Sequence, residues 1–206
     1  MAGRPVKIHV GVPWRGGDAH RERSFRYVCD HLHSCGLTAL PADSGHEPFS
    51  RAGSRNTAVR HAADADVVFL HDADMILPDY QAAAELALDT DEMVVAFRHY
   101  RPLDHTTTDA VLDGADPFTA TPIDIFTDFS VGGVIALTPA AYWRIGGQDE
   151  RYRDWGYEDS AFAMAAERAG TIHRIDQPGV HLWHPHAGDA NNPDQRRNAE
   201  LIQEGN

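Results

Sequence analysis

Short apolar runs and helical periodicities alternate along most of this chain. "VKIHVGV" (6–12) is rich in β-branched residues and predicts a first strand. "PWRGG" breaks it. Asp18 can cap a helix over about 19–35, with Phe25, Val28, Leu32 and Cys35 on one face and Gly36 as the stop. "LTAL" (37–40) predicts a short second strand, and "PADSGHEP" a loop. A helix runs through "RNTAVRHAA", with Val59 and Ala62 facing inward. "DVVFL" (66–70) reads as a buried strand. "PDYQAAAELALDT" is a helix with Tyr80, Ala83, Ala84, Ala87 and Leu88 at helical spacing, and "MVVAF" (93–97) is the next strand.

Residues 98–128 show no clear periodicity. A compact domain rarely keeps about 30 such residues unless they form a functional loop or flap. "GGVIAL" (132–137) is a strand, and "TPAAYWRIG" a short helix with Thr138 as cap and Pro139 at its first position. "EDSAFAMAAERAG" is a helix ending at Gly170; "TIHRI" and "GVHLWH" are short strands. The tail from Ala187 is polar and is expected to wrap the surface. Strands alternating with helices predict an α/β fold, a mostly parallel sheet with helices on both faces, as a single domain over 1–206. Ligands in such sheets sit beyond the carboxyl ends of the strands. Pro13, Trp14 and Arg15 follow one such end; Asp72 and Asp74 follow another.

Composition narrows the function classes. The formal net charge is −13, which argues against unaided binding to a nucleic-acid backbone. No stretch approaches the roughly 20 apolar residues that span a bilayer. "MAGRPVKIHVGV" runs straight into a strand pattern, so no signal peptide is expected. Cys29 and Cys35 sit nearly opposite each other around their helix, and a reduced, cytoplasmic compartment is the expectation.

Four segments carry candidate chemistry. In "FLHDADMILP" two carboxylates close a buried run, where charge is unfavourable. A divalent cation explains them; so does a surface turn. In "HLWHPH" (181–186) the histidines read as surface groups, as a zinc site of His181, His184 and His186, or as partners of a carboxylate around Mn²⁺ or a similar first-row ion. In "DWGYEDSAF" (154–162) Glu158 and Asp159 open a helix, whose dipole favours their charge. Ordinary capping explains that, but Trp155-Gly156-Tyr157 before it suggests a wall for a sugar ring. In "PFSRAGSRNTA" (48–58) Arg51 and Arg55 are either solvated helix charges or phosphate ligands, with Phe49 placed to stack on a base.

In chain order these segments resemble one family. The chain is similar to the GT-A glycosyltransferases, and among them to the β-1,4-galactosyltransferase group and its C-terminal galactosyltransferase domain. "VPWR" resembles the family's Pro-aromatic-Arg strand end, and "FSRAGSRNTA" its Phe-x-Arg-Ala-x₃-Asn segment. "FLHDADMILP" resembles its Asp-x-Asp strand end, "FSVGGVIALT" its Gly-Gly-Val strand, and "WGYEDS" its Trp-Gly…Glu-Asp motif. "HLWH" falls where the family has a metal-binding Met-x-x-His. Three departures stand out. Ser160 replaces a third acid, the Trp-Gly to Glu-Asp spacing is shorter, and His181 stands in place of methionine.

The resemblance implies a Rossmann-like GT-A domain. Residues 1–97 form its nucleotide-binding half, 98–128 an acceptor loop, 129–186 the acceptor and catalytic half, and 187–206 a polar tail. It implies a metal-dependent inverting glycosyltransferase that moves a Gal, GalNAc or Glc type sugar from a UDP-sugar to an acceptor hydroxyl. Asp74, His184 and His181 would bind Mn²⁺, or another divalent cation such as Mg²⁺, with Asp72 on a metal-bound water or the ribose. Phe49 would stack on uracil, Asp43 would lie near the base or ribose, and Arg15 and Arg51 would assist with the nucleotide. Pro13, Trp14, Arg55, Asn56, Gly132 and Gly133 complete the implied donor side. Asp159 would be the base, Glu158 would bind a sugar, and Trp155, Gly156 and Tyr157 would wall the acceptor, a glycan, protein or small molecule. The family has a tyrosine two residues before its Gly-Gly pair; here that position is Ser130, which implies room for an N-acetyl group. The related retaining polypeptide N-acetylgalactosaminyltransferases have Glu-Asn where this chain has Glu158-Asp159. A nucleotide-sugar hydrolase and a non-catalytic sugar-binding module are the remaining alternatives.

Overall fold

The computed structural model describes residues 6–154, 156–185 and 193–204. In chain order the elements are β1 (Ile8–Pro13), α1 (Ala19–Ser34), β2 (Ala39–Ala42), α2 (Arg51–His61), β3 (Val67–His71), β4 (Met75–Ile76), α3 (Gln81–Thr90), β5 (Met93–Val95) and β6 (His99–Pro102). Then come α4 (His105–Leu112), β7 (Phe126–Thr127), β8 (Val134–Leu137), α5 (Pro139–Ile145), α6 (Glu158–Ala169), β9 (Ile172–Arg174), β10 (Pro178–His181) and α7 (Pro193–Glu204).

A six-stranded sheet in the order β2-β1-β3-β8-β5-β9 forms the centre. β1 runs parallel to β2 and to β3, and β5 runs parallel to β9. β8 lies antiparallel between β3 and β5, so the sheet is mixed though mainly parallel. All of β3 is buried, as expected for a strand covered on both faces. A second sheet, β4-β10-β6-β7, stands beyond the end of β3. It arises because the chain turns at Asp72–Asp74 and re-pairs at once, β4 antiparallel to β10.

Local signals set the helix starts. Asp18 accepts from the Arg21 N–H, Ser50 from Gly53, Asp104 from Thr107 and Thr138 from Ala141. Val28 and Leu32 of α1, Val59 of α2, and Ala83, Ala84 and Ala87 of α3 enter one core.

Several expectations are corrected. Residues 98–128 are not a loop: they hold β6, α4 and β7. These elements are too short to print a period, and α4 begins with His and three threonines, all weak helix formers. α2 starts at Arg51 rather than near Arg55, because Ser50 supplies the cap. The second strand lies at 39–42, two residues later than expected. Cys35 and Leu88 are exposed; Cys35 has passed the end of α1, and Leu88 lies off the buried face of α3. The cysteines are both free. The tail contains α7, whose Leu201 is buried and which packs on α6. Among the described residues no helix is long and apolar enough to cross a membrane.

Ser50 joins the two halves of the chain. Its hydroxyl accepts from Gly53 N–H and donates to the Tyr152 carbonyl at 2.9 Å, in a fully buried position. Replacing Ser50 by Ala removes the cap and the nearer donor to that carbonyl, leaving it the longer contact from Arg153 Nη1 at 3.3 Å. A loss of about 1–2 kcal/mol is expected from the urea midpoint. An unchanged midpoint would show that the junction does not depend on this hydroxyl.

Candidate active site

The pairing of β4 with β10 sets His181 opposite Met75, and the Leu182 N–H donates to the Asp74 carbonyl at 2.8 Å. Residues far apart in sequence thereby meet. The Asp74 carboxylate lies 3.8 Å from His181 Nε2 and 3.4 Å from His184 Nε2. One ligand atom from each of the three falls within 4.8 Å of the others. His184 Nδ1 contacts the Pro185 carbonyl at 2.9 Å. That contact places the proton on Nδ1 and leaves the Nε2 lone pair free for a cation. Burial lowers the His181 pKa, which favours the neutral ring a metal requires. α4 props this segment, since Thr108 Oγ1 accepts from the Trp183 N–H at 2.8 Å. One carboxylate and two imidazoles suit a first-row divalent ion. His186 lies outside the described residues.

The turn that presents Asp74 is held from below. His71 is buried; its Nδ1 contacts the Asp72 carbonyl at 2.7 Å, and its Nε2 the Tyr80 hydroxyl at 3.0 Å. Burial pushes its pKa down to about 4, so the ring is neutral. These partners put the proton on Nδ1. The sequence showed only a histidine at the end of an apolar run.

Arg55 is the centre of the acidic cluster. It is 1% exposed. Nη2 donates to Asp72 Oδ1 at 2.7 Å, and Nη1 to Asp159 Oδ1 at 2.5 Å. Burial opposes its charge, but Asp159, Asp72 and Glu158 outweigh that and hold it protonated. Arg55 is therefore committed to two carboxylates and is not a free phosphate ligand. Asp72 is likewise committed and stands outside the cation triangle. Burial would raise its pKa, but Arg55 and Arg51 lower it overall.

Asp159 differs. Burial raises its pKa, Arg55 pulls it back, Glu158 and Asp72 add to the rise, and the balance lies at about 6. Oδ2 has no hydrogen-bond partner among the described residues and sits over Gly132. A Cβ on Gly132 would lie 2.3 Å from it, so only glycine admits this carboxylate. Glu158 is buried, accepting from Gly156 N–H at 3.1 Å and from Arg51 at 3.3 Å. Tyr157 adopts φ 71°, an outlier for a bulky residue, and keeps its side chain 42% exposed.

These groups line a cleft of about 650 Å³, within the range of small-molecule sites. Tyr100, Phe129, Ser130, Gly132, Tyr157 and Asp159 form its walls. Asp72, Glu158, Asp159 and His181 also border an adjoining recess, which Pro13, Arg21, Arg51, Asp74 and His184 complete. Ser130 Oγ makes long contacts of 3.3–3.4 Å to the Gly132 backbone. Gly133 has φ 84° and accepts from Asp72 N–H at 2.7 Å, tying β8 to the turn.

The other expected residues separate into two groups. Arg15 is paired with both oxygens of Asp43 at 2.8 Å and with Glu47, and lies 5.2 Å over Phe49. This cluster joins the ends of β1 and β2. Trp14 stacks on Phe25 at 4.4 Å, against α1. Asn56 does not reach the cleft: it is buried among Tyr142, Gln148 and Glu150, with its amide satisfied on both sides. Trp155 lies outside the described residues. Arg21 was missed. It stands in a charged "HRER" run that reads as a solvated helix face, yet it lines the recess.

The family model for the N-terminal domain of galactosyltransferase matches residues 121–181. Beta-1,4-galactosyltransferase 3 of Homo sapiens is 28% identical over 197 residues, covering 88% of this chain and 44% of the relative. The Mus musculus protein matches equally. The chain thus spans less than half the length of these relatives. Among solved structures, Drosophila beta-1,4-galactosyltransferase 7, in complex with manganese, UDP-Gal and xylobiose, superposes with TM-score 0.58 at 17% identity, covering 97% of this chain and 80% of that one. GalNAc-T7 with UDP, GalNAc and Mn²⁺ gives TM-score 0.60 at 11% identity, covering 98% and 48%. Mannosyl-3-phosphoglycerate synthase from Rubrobacter xylanophilus gives 0.56 at 14%, covering 97% and 75%. The chain has the GT-A fold and is similar in sequence to the β-1,4-galactosyltransferases.

Proposed function

We propose that this chain is a metal-dependent, inverting glycosyltransferase that moves a sugar from a UDP-sugar to an acceptor hydroxyl. One observation carries the reading. A single cleft system holds a three-ligand cation site and, on its wall, a carboxylate whose Oδ2 has no hydrogen-bond partner among the described residues. The manganese, UDP-Gal, UDP and GalNAc held by the similar solved proteins support the same pairing here.

Asp74, His181 and His184 would hold Mn²⁺, or Mg²⁺ less well given the imidazoles. When bound, the cation supplies positive charge to the departing diphosphate. The chain's own residues do the rest. Asp159 Oδ2 accepts the acceptor's hydroxyl proton while Arg55 fixes Oδ1. The acceptor oxygen forms a bond to the anomeric carbon as the bond from that carbon to the diphosphate oxygen breaks. UDP leaves with the electron pair. A single base opposite the leaving group makes this a direct displacement with inversion. Glu158, immobilised by Arg51 and Gly156, would orient a sugar hydroxyl. Phe129 and Tyr157 would stack on the acceptor, a glycan, protein or small molecule. Their exposed rings beside Asp159 favour transfer over simple hydrolysis.

Three outcomes are expected. Asp74→Ala or His184→Ala should abolish Mn²⁺-dependent UDP binding in a thermal-shift assay, since the triangle loses a ligand. Full transfer activity in excess chelator would sink the metal assignment.

Asp159→Asn should retain donor binding and lose about 10²–10⁴ in transfer rate. The base must be ionised, so kcat/KM should rise with pH through an acid limb. A cation on Asp74 pulls the carboxyl below its value of about 6, so the limb falls at or below that pH. A near-native rate in Asp159→Asn would assign the base elsewhere.

Ser130 lines the cleft beside Gly132, and a small side chain there would leave space at the sugar's C2 substituent. UDP-GalNAc should serve at least as well as UDP-Gal. Ser130→Tyr should suppress GalNAc transfer selectively. Equal suppression of both donors, or no change, would remove Ser130 from the sugar pocket.

A further inference from the structure

Every other arginine near the candidate site is already engaged. Arg15 holds Asp43 and Glu47, Arg51 holds Glu158 and the Asp154 carbonyl, and Arg55 bridges Asp72 and Asp159. Arg21 is different. It projects from the first turn of α1 into the recess formed by Pro13, Arg51, Asp74, His181 and His184. Its Nε is buried and has no hydrogen-bond partner among the described residues.

An arginine cannot escape this position by losing its proton. Its buried donor is unfavourable until something accepts from it. No carboxylate of the recess has taken that role, although Asp74 shares the same wall. A cation held by Asp74, His181 and His184 would set a second positive centre beside the guanidinium. Two positive centres facing one small cavity are compatible when an anion with several oxygens lies between them. A diphosphate has that charge and shape, and a guanidinium fork matches phosphate oxygens.

We infer that Arg21 is a diphosphate-binding residue, donating to the nucleotide's phosphate oxygens on the side away from the cation triangle. The inference rests on the UDP-sugar reading above. In that reading Arg21 steadies the negative charge that grows on the leaving group, while Arg15 and Arg55 are already paired with carboxylates.

The test is isothermal titration of the native chain, Arg21→Ala and Arg21→Lys with Mn²⁺ alone, with UDP plus Mn²⁺, and with uridine plus Mn²⁺. Arg21→Ala should weaken UDP by about 10- to 100-fold, the scale of a hydrogen bond to a charged group. Its affinity for Mn²⁺ alone and for uridine should match the native chain. Arg21→Lys should recover part of the UDP affinity, because it keeps the charge but not the fork. Native UDP affinity in Arg21→Ala overturns the inference. So does a matching loss for Mn²⁺ alone or for uridine, which would make Arg21 a support of the metal triangle or of the base site. If the native chain shows no Mn²⁺-dependent UDP binding, the UDP-sugar reading fails instead.

Discussion

The bridge from Arg55 to Asp72 and Asp159 is the contact on which the candidate site depends. Three elements meet there: α2 supplies the guanidinium, the end of β3 one carboxylate, and the start of α6 the other. A partly buried ion triad is not a source of stability in itself, because the charges, Arg55 above all, must give up water. Its value is geometric. The planar fork fixes the spacing between the acid that ends β3 and the acid proposed as base. Removing any member would leave a buried charge without its counterpart, so the arrangement persists as a unit. Asn56, one residue on, pins the same helix to the 142–150 segment through Tyr142, Gln148 and Glu150. The helix is thus held on both sides of Arg55.

The cation triangle uses a different device. It is assembled by strand pairing rather than by an ion network. β4 is only two residues long, but it aligns Asp74 with His181 through the backbone. The small second sheet therefore does for the histidines what the triad does for the acids. Between the two lies the cleft, with Gly132 at its floor.

Much of this was legible in the sequence, for identifiable reasons. β3 could be read because an unbroken apolar run ends in two charges. The start of α6 could be read because Glu158 and Asp159 precede a helical period. The histidines were visible as a close pair following a strand. Arg55 could not be placed. An arginine in a helix reads as solvated, and its burial depends on two acids remote in sequence. Arg21 was hidden for the same reason inside a charged run. Asn56 looked like part of a donor motif and is instead a scaffold node. The 98–128 region failed because strands of two to four residues carry no measurable period. β6 is placed by pairing with β10 and β7 by pairing with β6, which only the folded chain reveals.

The pairing of β4 with β10 also bears on the order in which the protein becomes competent during synthesis. Asp74 emerges from the ribosome long before His181 and His184. Until they arrive, the turn at 72–74 has neither its strand partner nor its imidazoles. Contacts so distant along the chain form late, because the loop between them must first close. The core around β1 and β3 can gather earlier from local neighbours. A nascent chain would then hold the core around β1 and β3 without the two histidines that face Asp74, and metal binding would report that β10 has docked.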